Sequence, residues 1–460
     1  MKAEFLLTKY NEPLLNKLKI YFNKRINALF VLYICIGIVG GFFAFPLSFM
    51  TKSNVLIGFV LFPFVLFFGS KQQFNYLYLT ILILFQILAY IYHIRIFYFF
   101  ALAFFILFIA ELWIGKVSTL ILFLIVFMSP VFQQASIILG FPIRLQISKL
   151  AGQLLAWTGM QIQVEGNMMI LNGSSFSVDE ACMGLSMLGI SMLMGVMAIG
   201  HQYHKRKTQL SLLNTSLFFL AVFLLNLLCN LLRILVLVLF NIPPENPMHE
   251  FVGILCFVVY IMIPIYFLSE WMLKRSGRPI VDERGNIQIT YFGKSCIMIF
   301  SIVIMLTGIQ LNESRKQVST LHSSATLSGF QSTNLNDGIT KLSNENALVY
   351  IKPIPEFFTS EHTPLLCWKG SGYHFESIRT VKIHDQEIYT GHLVNDKSTL
   401  YTAWWYSNGK VLTINQLDWR FRMVKGEEGF NLVNVTSDSE ADLDATLNSI
   451  LKDKQLNFSL

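Results

Sequence analysis

Charge is scarce in this chain. Asp, Glu, Lys and Arg make up 14% of its 460 residues and hydrophobic residues 54%, which excludes an ordinary soluble domain and points to a membrane protein. Cysteine is sparse as well, and none of the six (Cys35, Cys182, Cys229, Cys256, Cys296, Cys367) has a CxxC-type neighbour. That spacing argues against a disulfide framework or a zinc site, so no metal or cofactor is expected. Most of these cysteines sit in apolar runs, where a thiol behaves as a small hydrophobe. A net charge of +7 does not indicate nucleic acid either, because the basic residues gather beside apolar segments, where they act as orientation signals.

Long apolar sequence is what the chain has in abundance. A bilayer crossing takes roughly 20 residues, and runs of that order occupy residues 28–49, 75–94, 96–115, 117–135, 183–200, 211–240, 249–271 and 295–311, with a shorter one at 54–69. The expected fold class is a polytopic α-helical membrane protein of about eight or nine transmembrane helices, with a C-terminal extracytoplasmic α+β domain. Lys2, Lys9, Lys17, Lys19, Lys24 and Arg25 precede the first run, which is too long for a cleavable signal and reads as a retained helix. Basic loops stay in the cytoplasm. The N-terminus, His201 to Lys207 and Lys274 to Lys294 therefore belong inside, and counting 54–69 as a span satisfies all three and puts the loop 136–182 outside.

Composition changes after residue 311. Residues 312–346 are rich in Ser, Thr, Asn and Gln and read as a polar linker between a membrane domain (1–311, with its motifs in about 100–275) and a globular domain (347–460). Within the latter, 347–351, 378–383, 388–394, 399–406 and 410–414 alternate as strands, and 439–451 reads as a closing helix.

Three segments carry chemistry. Val178 to Leu185 places Asp179, Glu180 and Cys182 where an aqueous hairpin, Ile162 to Val178, meets a membrane helix. A thiol at a helix N-terminus is favoured as thiolate, yet a small packing residue is the alternative reading. Asn226, Asn230 and Arg233 share one face of an apolar helix. The two amides are either functional or bridges between helices, whereas an arginine at that depth must be paired or meet water. Finally, the rigid turn Pro243 to Pro247 delivers His249 to the start of a helix, where an imidazole can exchange protons near neutral pH. His201 and His204 read as solvated surface residues, and the lone Glu111 is expected to pair with a basic residue of another helix.

With these residues in view, the chain resembles the exosortase and archaeosortase family, whose three segments match Glu180 to Leu185, Asn230 to Arg233 and His249 to Gly253. Met183 and Ser186 stand where the family often has serine and arginine. The segment from Glu361 to Tyr373, with His362, Pro364, Cys367, Gly370 and Gly372, is similar to the exosortase-associated domain linked to exopolysaccharide export, and the fusion resembles the exosortase N type. The resemblance implies a membrane-embedded cysteine transpeptidase or protease with Cys182, Arg233 and His249 as its catalytic residues and Glu180 and Asn230 in support. Implied partners are exported proteins carrying a C-terminal motif, membrane helix and basic tail, with an amine or water as acceptor, all at the bilayer of a bacterial inner membrane. Two rival functions stand beside it. One is a non-catalytic component of an exopolysaccharide export system, and the other is a transporter, for which no convincing inverted repeat is found.

Overall fold

The structure is a computed structural model and describes residues 28–459, apart from 43–44, 46, 66–73, 114, 166–167, 172–173, 178–184, 244–245, 280–290, 319–323, 336–337, 355–367, 369–372, 396–397, 428 and 452–456. Its membrane part is built from α1 (Ala28–Phe42), α2 (Ser53–Val65), α3 (Tyr76–Tyr92), α4 (Arg95–Trp113), α5 (Leu120–Met128), α6 (Pro130–Trp157), α7 (Leu185–Arg206), α8 (Leu212–Leu239), α9 (Pro247–Phe257), α10 (Ile263–Ser276) and α11 (Tyr291–Val318). Four stretches are long and apolar enough to cross a membrane: Arg95–Leu112, Leu212–Leu239, Pro247–Ser276 and Tyr291–Asn312. By this criterion there are four candidates among the described residues where eight or nine were expected. The apolar parts of α1, α2 and α3 are shorter.

One expected span is broken. Within 117–135, Ser129 is extended (ψ 153°) and its Oγ accepts the Phe132 N–H at 3.3 Å, ending α5 and capping α6. Pro130 is the first residue of α6, a position that needs no N–H donor. In consequence the supposed loop 136–182 begins as helix and stays helical to Trp157. Its apolar residues are interspersed with Arg144, Gln146, Lys149 and Gln153, so it reads as amphipathic and escapes a search for unbroken apolar runs.

The chain forms two compact units. The first comprises Met1–Gln134, Leu185–Cys229 and Leu255–Arg315. In it α3 and α4 pair as a hairpin, with Phe85 stacked on Phe100 at 5.2 Å. Tyr98 Oη donates to the Ile304 carbonyl at 3.0 Å and Gln86 Nε2 to Thr307 Oγ1 at 2.5 Å, fastening this hairpin to α11. Buried α7 packs on α2, α5 and α10. Where α7 and α10 end, β4 (Thr208–Gln209) pairs with β5 (Arg278–Pro279), and Glu270 bridges Arg206 at 2.8 Å and Lys274 at 3.0 Å. Two of the three basic loops thus meet at one end of this unit. Between α9 and α10 the chain makes a π-helical turn, Val258–Met262. Pro264 explains it, because its ring lacks the N–H and crowds the carbonyl four residues earlier.

The second unit comprises Ala135–Gly184, Asn230–Ile254 and Lys316–Leu460. It contains a three-stranded antiparallel meander of β1 (Ile162–Glu165), β2 (Met168–Leu171) and β3 (Ser174–Ser177). The C-terminal region is α+β, as expected. After β6 (Ser324–Thr326) come β7 (Gln331–Asn334), β8 (Thr340–Ser343), β9 (Ala347–Ile354), β10 (His374–Ile383), β11 (Gln386–Val394), β12 (Thr399–Ser407), β13 (Leu412–Thr413), α12 (Gln416–Val424), β14 (Phe430–Ser437), α13 (Glu440–Leu451) and β15 (Asn457–Ser459). The antiparallel sheet runs β10-β11-β12-β14-β9-β8-β7. Residues 312–346, expected as a linker, hold the end of α11 and β6 to β8, two of them strands of this sheet.

Neighbouring residues of β12 face opposite sides, as the pleat requires. Trp405 joins Val349, Ile351, Val433 and Leu447 of α13 in one core, and Trp404 joins Trp419 of α12, Phe430 and Leu432 in another. We expect Trp405→Ala to cost about 3–5 kcal/mol through the cavity it leaves. Amide exchange in β9 and β14 of the full chain should accelerate accordingly, and unchanged protection there would contradict this assignment of the core.

Candidate active site

Local chain chemistry sets the start of α9. The Asn246 side-chain oxygen accepts the Met248 N–H at 3.0 Å, and its backbone carbonyl accepts the His249 N–H at 2.8 Å. An Asn cap followed by proline at the first helical position is a favoured helix start. It holds His249 in the first turn, only 3% exposed.

Gly253 lies one turn further along the same face of α9, about 6 Å from His249 at 1.5 Å rise per residue. Arg233 of α8 occupies the space that a side chain there would fill. A Cβ on Gly253 would sit 2.9 Å from Arg233 Cζ, 3.0 Å from Nη2 and 3.1 Å from Nε. Near-equal distances to three atoms of a planar group mean that the guanidinium lies flat on the Gly253 backbone. Arg233 and His249 are thereby gathered on one face of α9, both buried. Glycine at 253 is what permits this approach.

Along α8, Asn226, Asn230 and Arg233 are all buried, but the two amides differ. Asn226 Nδ2 donates to Ser191 Oγ of α7 at 3.0 Å, while Ser191 donates to the Met187 carbonyl at 2.6 Å. Asn226 is therefore a bridge between helices. Both polar atoms of the Asn230 side chain are buried with no hydrogen-bond partner among the described residues. A buried amide left so costs about 1–3 kcal/mol, which singles out Asn230 as the amide available for another contact.

Cys182 and Glu180 lie outside the described residues, as does Cys367. The meander that leads toward Cys182 is described, and it reaches the histidine: the Phe176 ring of β3 lies parallel to the His249 imidazole, with centroids 6.5 Å apart and planes 14° from parallel. Neither Phe176 nor Ser191 is singled out by sequence reasoning. The available signal is an aromatic flanked by Ser175 and Ser177, the alternation of a strand with one apolar face.

Other expectations divide. His201 is exposed, whereas His204 is half-buried with Nε2 3.2 Å from the Phe64 carbonyl. Burial corrects the solvated reading of His204. For Glu111 the observed contacts include the Asn75 amide at 2.6 Å and the Val117 N–H at 3.0 Å, so donors other than a basic side chain help to satisfy it. The described cysteines Cys35, Cys229, Cys256 and Cys296 are free thiols.

Residues 51–266 match the transmembrane exosortase family, a stretch that runs from before α2 into α10 and includes all three motifs. Over this stretch, a little under half of the chain, the protein is similar to transmembrane exosortases. Neither the curated proteins nor the solved structures contain a match.

The Arg233–Gly253 contact predicts a specific non-additivity. Gly253→Leu should overpack the contact and destabilise the protein by about 1–3 kcal/mol, and adding Arg233→Ala should relieve much of that loss. Thermal melts of both single variants and the double variant test it, since losses that simply add would show that the two residues do not touch.

Proposed function

We propose that this chain is a membrane-embedded cysteine transpeptidase or protease that cleaves the C-terminal sorting signal of exported, tail-anchored proteins. The observation that carries the reading is the gathering of Arg233 and His249 on one face of α9, beside a strand that feeds the segment holding Cys182. Five residues separate Phe176 from Cys182, so the tether between them is at most about 20 Å when fully extended. That length lets the thiol reach the His249 region.

In the proposed reaction the Cys182 thiolate attacks the scissile carbonyl, and a thioester forms as the C–N bond breaks. His249 gives its proton to the leaving amine. Arg233 stabilises the thiolate and then the oxyanion, a role suited to a cation held away from bulk water. An acceptor amine or a water then attacks the thioester, its proton passes to His249, and the Cys182 thiolate is released. Asn230 supports this centre from the same helix face as Arg233, and Glu180 supports it from the segment before the thiol.

The wider setting belongs to the same proposal. The chain crosses the bacterial inner membrane about nine times, the odd count that includes 54–69, with its N-terminus and basic loops in the cytoplasm and its C-terminal domain in the periplasm. The pairing of β4 with β5 supports a common side for two of those loops. The C-terminal domain corresponds to the exosortase-associated domain, which makes the whole an exosortase N type. Its substrates carry a recognition motif, a membrane helix and a basic tail.

Co-expression with a tail-anchored substrate tests the reading. Cys182→Ala should abolish processing, and Arg233→Lys should lower it roughly 100- to 1000-fold, because a point charge cannot replace the flat, forked donor. Continued processing by Cys182→Ala would leave the chain as a non-catalytic component of an export system.

A further inference from the structure

The C-terminal domain raises a question that the chemistry above leaves open, namely what it does for the membrane site. The β1–β3 meander supplies an answer. Residues directly opposite one another in an antiparallel pair point to the same face, and Val164 faces Met169 while Met169 faces Phe176. These three side chains therefore form one row across the meander. One end of the row is fixed on α6, because a Cβ at Gly152 would fall 2.2 Å from Val164 Cγ2, with Met169 Cε 3.9 Å away. At its other end the row presents Phe176 to His249.

A further contact involves the meander backbone. Strands β1 and β2 lie against β10, an edge strand of the C-terminal sheet. That edge is shaped by a bulge between Glu376 and Arg379, where Ser377 has φ 44° and its Oγ sits 3.0 Å from His392 Nδ1. An edge strand that is covered is also protected from pairing with other chains.

We infer that the C-terminal domain is an integral brace of the active site: β10 supports β1 and β2, and the meander, through Phe176, orients the His249 imidazole for proton transfer. Phe176 is in this account a positioning residue. The inference rests on the assignment of His249 as the proton carrier, but the docking of β10 on the meander can be tested without it.

Two measurements on the full-length chain in membranes test the proposal. First, a photo-crosslinking amino acid is placed in turn at each position of β1 and β2, in the wild type and in Cys182→Ala. An adduct to the 374–383 peptide is expected from at least one position in both backgrounds. Absence of that adduct from every position overturns the brace, whatever the fate of the transpeptidase reading. Second, Phe176→Ala should lower kcat for substrate processing roughly ten- to hundredfold with little change in KM, the mark of a misplaced reacting group. Phe176→Tyr keeps the flat ring and should retain most of the activity. If Phe176→Ala instead raises KM at unchanged kcat, or alters neither, Phe176 does not position the histidine. Loss of processing in Cys182→Ala is the separate control on the underlying chemistry, and processing that survives there removes that chemistry while leaving the crosslinking result intact.

Discussion

The site depends on one close contact, the Arg233 guanidinium lying on the bare backbone of Gly253. An arginine in an apolar helix is costly, roughly 2.5–3.5 kcal/mol at the centre of a membrane span even on the lenient scale. Such a group persists where its surroundings hold and use it. Here a missing side chain on α9 opens the space, and the helix that opens it also carries His249 one turn earlier. The spacing of four residues between His249 and Gly253 is thus a geometric requirement: it puts an imidazole and an arginine seat on the same helical face.

Everything around this contact serves to fix it. The Asn246 cap and Pro247 determine where α9 begins, and so the height of His249. Asn226, earlier on α8, ties that helix to α7 through Ser191. The Phe176 ring of the meander lies near-parallel to the imidazole, with centroids 6.5 Å apart. In the proposed reaction burial would matter for the chemistry as well as the fold, because a fixed cation and a proton carrier act more strongly where water is excluded.

Much of this was legible in the residues themselves. A polar row at spacings of four and three on an apolar helix is visible without coordinates, and so is a histidine behind an Asn-Pro cap. The spacing does not reveal partners: nothing in Asn226 and Asn230 as letters says that the first meets a serine while the second has no hydrogen-bond partner among the described residues. The strands from Ala347 to Thr413 announce themselves by alternation. β14 does not, since both its faces are covered and every residue from Phe430 to Ser437 is buried, Asn431 and Asn434 included. Helix α6 was hidden for the opposite reason, its polar residues interrupting the apolar run that a membrane reading looks for. The short strands β7 and β8 have no apolar run of their own and owe their place in the sheet to pairing, β8 with β9 and β7 with β8, a constraint that no local apolar pattern carries.

The central claim is that the acyl group passes through Cys182. Full-length protein in membranes, mixed with a tail-anchored substrate and quenched in acid, should yield a peptide containing Cys182 that carries the N-terminal portion of the substrate as a thioester. An acyl group found on another side chain, or an unmodified Cys182 throughout the time in which substrate is cleaved, would contradict the account.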